Sequence, residues 1–296
     1  MSVDIRSVIS TIRQNKNRPK DRKGKPGGLI ELTTKVSPII VGDLHSCQEN
    51  LEKIIAHNDN EKKLKSGQSV LILLGDTVHN DQMGMLREME SSLRILEYVF
   101  ELLRKYGNSV LYLRGNHDCF DENLVKSSIR QGLEFRNYVR EHRGEKYVQS
   151  VEAFFESLPV FIIANKFVIT HAGPVRGGTD REELINIYSD PDKYLQLMWN
   201  RINEFRGTPS SKEYDEYDIR KTLEKLALPP KTHFIVGHNP LWNTGNTSGV
   251  WLNVLGIENH HILYSGANTR APYLTFEKDR LIVHYAISSN KEALYV

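Results

Sequence analysis

Short apolar runs recur along the chain, and each breaks at a polar turn. Ile39-Ile40-Val41 runs into Gly42-Asp43-Leu44-His45, and Leu71-Ile72-Leu73-Leu74 into Gly75-Asp76. Val110-Leu111-Tyr112-Leu113 runs into Arg114-Gly115-Asn116-His117-Asp118. Phe167-Val168-Ile169-Thr170 runs into His171-Ala172-Gly173, and Phe234-Ile235-Val236 into Gly237-His238. Runs of this length and composition predict buried strands. Between them the spacing turns helical. Leu51, Ile54 and Ile55 share one face, with Gln48, Glu49, Glu52 and Lys53 outward. A long helix is predicted over about 83–106, with Leu86, Met89, Leu93, Leu96 and Phe100 inward and Gly107-Asn108 as its C-cap. Residues 122–157 read as helical with a break near Gly144. Val160–Ile163 and Phe167–Thr170 flank Ala164-Asn165-Lys166 as a hairpin.

Further on the pattern loosens. Residues 174–216 mix glycine, proline, charge and aromatics and read as loop and short helices. Ile219–Leu228 reads as a helix stopped by Pro229-Pro230, and strand-like runs follow at 250–255, 262–264, 273–276 and 281–285. Alternating strands and helices with a strand-rich end give an α/β fold class. Residues 1–28 stand apart. Val3, Ile5, Val8, Ile9 and Ile12 suggest a short helix. The next stretch carries Arg13, Lys16, Arg18, Lys20, Arg22, Lys23 and Lys25 against Asp21 alone. The expectation is a basic arm or mobile linker over 1–28 and one catalytic domain over 29–296.

Composition narrows the class. Of 296 residues, 39% are hydrophobic and 26% charged, and the net charge is +2. That is the profile of a globular protein with no overall field for nucleic acid or membrane. The longest apolar runs, 70–74 and 158–164, are too short to span a bilayer, and the N-terminus lacks a signal-peptide apolar core. Cys47 and Cys119 cannot form a disulfide framework. A cytoplasmic location is expected.

The turns carry the chemistry. Ligands in α/β folds usually bind at the carboxyl ends of strands. Asp43, His45, Asp76, Asn116, His171 and His238 all sit at such ends: two carboxylates, one amide oxygen and three imidazoles. One zinc ion needs only four ligands. Six mixed donors suit two divalent ions sharing a carboxylate, and the mixture suits Mn, Fe or Zn better than Ca or Mg. Two such ions, about 3.5–4 Å apart, provide a shared water of lowered pKa and bind two phosphoryl oxygens. With Asn116 as ligand, His117 is left to protonate the leaving oxygen.

At this point the chain resembles the calcineurin-like metallophosphoesterases, whose motif series is G-D-x-H, G-D, G-N-H-D/E, H and G-H in this order. It is most similar to their phosphoprotein phosphatase (PPP) branch. Leu113 to Cys119 resembles L-R-G-N-H-E-C, Phe154 to Pro159 resembles F-x-x-L-P, Leu197-Met198-Trp199-Asn200 resembles L-L-W-S, and Tyr264-Ser265-Gly266-Ala267-Asn268 resembles F-S-A-P-N. The resemblance implies two packed mixed β-sheets flanked by helices. It implies that Asp43 and His45 bind one metal, that Asp76 bridges, and that Asn116, His171 and His238 bind the other, with His117 as general acid. Manganese is the expected ion, with iron or zinc as alternatives, and a phosphorylated protein or peptide the expected substrate. Ser46 stands where the family has glycine. The family's second motif, G-D-x-V-D-R-G, reads Gly75-Asp76-Thr77-Val78-His79-Asn80-Asp81 here. Asn80 thus replaces the phosphate-clamping arginine, and His79 the aspartate that orients the acid. Arg201, Arg176 and Arg270 are candidates for the missing charge, and Asp118 or Asp81 for orienting His117. His79 is expected to face solvent. Two rivals remain: a dinucleoside polyphosphate hydrolase, and an inactive metal-binding module for phosphoproteins. A nuclease is disfavoured because Pro240 stands where such branches carry a second histidine.

Overall fold

Period-two alternation within the apolar runs decides the architecture. In the strand Ser37–Val41, Ile39 and Val41 join one core and Ile40 another. Ser69–Leu73 and Val110–Tyr112 repeat the pattern: Leu71, Leu73, Val110 and Tyr112 face the first core, and Val70, Ile72 and Leu111 the other. Strands apolar on both faces must be covered on both. The structure is a computed structural model. It describes residues 4–32, 37–205, 207–266, 270–287 and 293–295, with the side chains of 242–243 and 293–295 outside that description. It meets the demand with two six-stranded sheets packed face to face.

The first sheet runs, edge to edge, Ala293–Tyr295, Arg280–Tyr285, Pro272–Glu277, Ser37–Val41, Ser69–Leu73 and Val110–Tyr112. The second runs Leu29–Leu32, Phe161–Ala164, Phe167–Thr170, His233–Val236, His260–Leu263 and Val250–Leu252. Each is mixed: the strands bearing the polar turns pair in parallel, and antiparallel strands complete the sheet. Between them lies a core including Ile40, Ile72, Leu111, Ile162, Ile169 and Ile235. Helices Ile5–Arg13, Gln48–Ala56, Glu90–Tyr106, Gln131–Arg143 and Glu145–Ser157 cover the first sheet's outer face. Arg181–Ile185, Pro191–Trp199 and Glu216–Lys225 cover the second's. The expected sandwich of two mixed sheets between helical layers is present. Among the described residues, no helix is long and apolar enough to cross a membrane.

Three local readings need correction. The long helix begins at Glu90, not 83. Gly84 has a φ of +88° and the Asn80 side chain accepts from Gln82 N–H, so 80–89 is an irregular loop. Leu86 and Met89 are nonetheless buried, which is why their spacing resembled a helix. Residues 125–130 form a small hairpin, Val125–Lys126 against Ile129–Arg130, turned through Ser127 and Ser128 at positive φ. The third concerns the basic N-terminal stretch, which packs on the domain instead of standing off it. Ile5, Val8, Ile9 and Ile12 enter the first core beside Glu145–Ser157. The buried Arg18 guanidinium donates to Gly27 O, Ser157 O and Tyr188 Oη. A run of cations reads as solvated in sequence, but an arginine with an acceptor at each guanidinium nitrogen can be buried.

Candidate metal centre

The polar turns converge at one edge of the sandwich, three from the first sheet and two from the second. Their backbones are strained. His45, Asp76 and His238 have φ of +41°, +48° and +59°, and Ser46 and His79 +70° and +65°. Left-handed backbone at non-glycine residues costs roughly 1 kcal/mol each and persists only where neighbours enforce it. Here the turns brace one another. Leu44 and His45 N–H donate to Asp76 O, and Ser46 N–H to Thr77 O. Ser92 Oγ ties the two loops, contacting Ser46 Oγ at 2.8 Å and accepting from His79 N–H at 2.9 Å. That contact gives a serine a reason to stand where the family has glycine. Gly115 and Gly237 have no such latitude: a Cβ would overlap Asp76 Oδ1 at one and Asp43 Oδ1 at the other.

All six expected donors come together. Asp43, His45 and Asp76 form one triad, and Asp76, His171 and His238 a second, with the ligand atoms of each within 4.8 Å of one another. Asn116 Oδ1 lies 2.8 Å from both His171 Nε2 and His238 Nδ1. Asp76 therefore belongs to both groups. The tautomers explain what the site needs. His171 Nδ1 lies 2.9 Å from Leu74 O and His45 Nδ1 3.0 Å from His79 O. A carbonyl only accepts, so each Nδ1 carries hydrogen and each neutral ring turns a bare Nε2 lone pair into the site. His171 Nε2 then faces Asn116 Oδ1 and, at 3.3 Å, Asp76 Oδ2. His45 Nε2 faces Asp76 Oδ2 and Asp43 Oδ2 at 3.8 and 3.9 Å. Asp43 Oδ1 is buried with no hydrogen-bond partner among the described residues. Buried acceptors aimed at one another without a donor fit divalent cations, and this donor set could hold two.

The titration directions agree. Burial, with Asp76 close by, pushes Asp43 up to about 7. Burial would raise Asp76 too, but His171, His117 and His45 hold it well below the usual carboxylate range. Burial alone would lower His171, yet the Asp76 charge and hydrogen bond, with Asp43 and Asp118, raise it to about 9. The cluster draws positive charge.

The surrounding residues divide. His117 is half-buried, its ring 5.0 Å from that of His45, and its Nδ1 has no partner among the described residues. Burial holds its imidazole well below the ordinary value. Asp118 does not orient it. The Asp118 carboxylate accepts from Gly115 N–H, Asp76 N–H, Thr77 N–H and Tyr112 Oη, binding two metal loops together from beneath. Asp81 does not orient it either, being engaged by Tyr264 Oη and lying 3.8 Å from Lys126 Nζ. His79 corrects the solvent-facing expectation. It is fully buried, 5.6 Å from the His117 ring and 5.3 Å from Phe135, and burial lowers its pKa to about 3.

Of the candidate arginines, Arg201 is the one whose contact with the site is seen among the described residues, its Nε 3.4 Å from His238 Nε2. Arg176 is taken up by Asp218 and the carbonyls of Pro209 and Ser210. Arg270 lies over the Tyr285 ring. Sequence reading missed Lys126, which the small hairpin carries to within electrostatic reach of Asp81, Asp76 and Asp43. No motif marks it, because the contact depends on a turn read as helix. Trp199 is exposed, with its ring 5.9 Å from His238. Burial raises the Cys47 thiol and pushes Cys119 up to about 11, so neither is a ready thiolate. Of the Tyr264–Asn268 motif, Ala267 and Asn268 lie outside the described residues.

Comparisons with known proteins agree with this geometry. Among solved structures, the chain is similar to a protein serine/threonine phosphatase from Saccharomyces cerevisiae related to human phosphatase PP5. The TM-score is 0.71 at 16% identity, over 97% of this chain and 88% of that one. It is also similar to a cold-active protein-tyrosine phosphatase of a psychrophilic Shewanella species, with a TM-score of 0.52 at 15% identity over 90% and 82%. At such identities the likeness is one of fold. No match was found among curated protein sequences. The model of the calcineurin-like phosphoesterases matches residues 38–283, and the chain belongs to that family.

Proposed function

We propose that the chain is a two-metal phosphomonoesterase of the phosphoprotein phosphatase type, acting on phosphoserine and phosphothreonine in proteins. The observation that carries this is the Asp76 carboxylate, shared by two donor triads. Three imidazoles with an amide and two carboxylates favour manganese, iron or zinc over calcium, and manganese is the ion proposed. Two bound ions would supply an activated water and neutralise the phosphoryl charge. Asp43 and His45 would hold one, Asn116, His171 and His238 the other, with Asp76 between.

The remaining work falls to the chain's own groups. His117, half-buried beside His45, would deliver a proton to the departing side-chain oxygen once the negative charge of a bound phosphoryl group offsets the burial that disfavours its charged form. Asp118 fixes the loops that carry Asp76 and Asn116 and does not touch the reacting atoms. Arg201 and Lys126 take the place of an arginine at Asn80, holding phosphoryl oxygens as two separate cations instead of one fork. Neither cysteine is needed as a nucleophile.

A substrate panel on manganese-loaded protein, with Asp76→Asn alongside, tests the reading. Turnover of phosphoserine and phosphothreonine peptides, lost in the variant, supports it. Cleavage of diadenosine tetraphosphate alone would replace the substrate class and keep the metal site. Two bound metals without turnover of any ester, phosphotyrosine peptide included, would make the chain a binding module.

A further inference from the structure

A cavity of ≈ 580 Å³ opens where the N-terminal stretch passes the end of helix Glu145–Ser157 and the turn Ile187–Ser189, and none of its lining residues belongs to the metal loops. Arg13, Arg18, Arg22, Lys23 and Lys25 line it. Among the described residues none of these five cations forms an ion pair with a carboxylate. The lining's two acids are Asp21 and Glu156, so the wall carries a net +3. Asp21 is already occupied, since its Oδ1 accepts the backbone N–H groups of Lys23 and Lys25 and so shapes the loop that presents them. Arg22 N–H donates to Asn186 Oδ1, which fixes the loop to the opposite wall.

Arg18 is the telling residue. Its side chain is buried, 6% exposed, and its donors reach only neutral acceptors: two backbone carbonyls and the Tyr188 hydroxyl. Burial disfavours its charge, and Arg13 nearby adds to the effect. A buried cation with no anionic partner is costly, and an anion in the cavity would offset that cost. The volume is that of a small-molecule site. Several guanidinium and ammonium groups around one cavity suit phosphate oxygens, which take both forked and single contacts.

We infer that this cavity is a binding site for a small, multiply charged polyphosphate anion, distinct from the metal centre. The assignment stands whether or not the phosphatase reading does. Titration calorimetry of the full chain in metal-free buffer, with inorganic tripolyphosphate and with ATP, tests it. One site is expected. Its affinity should fall about tenfold or more in Arg22→Ser/Lys25→Ser, as loss of charge-assisted contacts requires, and stay unchanged in Arg201→Ala. Arg22 and Lys25 are exposed, so the thermal melt should match that of the parent. Tighter binding of ATP than of tripolyphosphate would extend the site to the nucleoside, and equal binding would confine it to the polyphosphate. No heat with either anion overturns the inference. So does binding that survives Arg22→Ser/Lys25→Ser but is lost in Arg201→Ala, or binding of a doubly phosphorylated peptide when neither free polyphosphate binds.

Discussion

The two sheets bring different chemistry to a common edge. The first delivers every oxygen donor, Asp43, Asp76 and Asn116, with His45; the second delivers only imidazoles, His171 and His238. Strand histidines occur in both sheets, His233, His260 and His261 in the second and His284 in the first, and burial lowers the pKa of all four. The Asp76 charge is compensated by His45 and His117 from its own sheet and by His171 from the other, and the contact of Asp76 Oδ2 with His171 Nε2 crosses between them. The first sheet alone presents the triad Asp43, His45 and Asp76, whereas the triad Asp76, His171 and His238 exists only where the two sheets pack.

The sharpest way to break this picture is at the shared residue. Asp76→Asn should lower phosphatase activity on the order of a hundredfold or more and reduce bound metal below two equivalents, read by kinetics and elemental analysis. Replacing a donor from one sheet at a time should be more selective. Asp43→Asn and His171→Gln should each weaken one ion by about 10- to 100-fold and spare the other, as metal competition titrations would show. If both substitutions release both ions alike, the division between sheets is wrong. Truncating the proposed phosphate contacts should cost less: Arg201→Ala or Lys126→Ala should raise KM about tenfold, with kcat less affected.

The mildest test is acid. His260 donates from Nδ1 to Phe234 O, its Nε2 lies 3.0 Å from Tyr214 Oη, and the ring is fully buried with no charged partner in either contact. Its pKa falls from 6.5 to about 4 in the fold. The unfolded chain then binds the proton first, so stability is full above 6.5 and is lost as pH drops from there toward 4. The loss approaches about 3 kcal/mol at the acid end. Melting temperature should fall across that window, and less steeply in His260→Gln.

The donors were legible because each sits where a short apolar run meets a polar turn, a local signal. The two-sheet sandwich came from motif resemblance, since no periodicity says which strands share a sheet. What escaped was set by contacts distant in sequence. Asp118 looks like a partner for its neighbour His117, yet its carboxylate belongs to Asp76 and Tyr112. His79 looks like a loop residue until Phe135 closes over it. Lys126 and Arg18 are ordinary cations until a hairpin and a carbonyl cage place them. The start of the long helix was misplaced because Leu86 and Met89 are buried from a loop, where burial does not imply helical hydrogen bonding.

The strand registers also set a timetable for synthesis. Leu29 pairs with Phe161, and Ile40 with Leu274. The strand Leu29–Leu32 thus waits for a partner made far later, and the first sheet cannot be completed until the hairpin of Pro272–Glu277 and Arg280–Tyr285 emerges. Such long-range pairing is slow, and a nascent or prematurely terminated chain would carry unpaired strand edges beside half-built metal loops. In the cell, folding of this protein should depend on holding chaperones during elongation more than its modest size suggests.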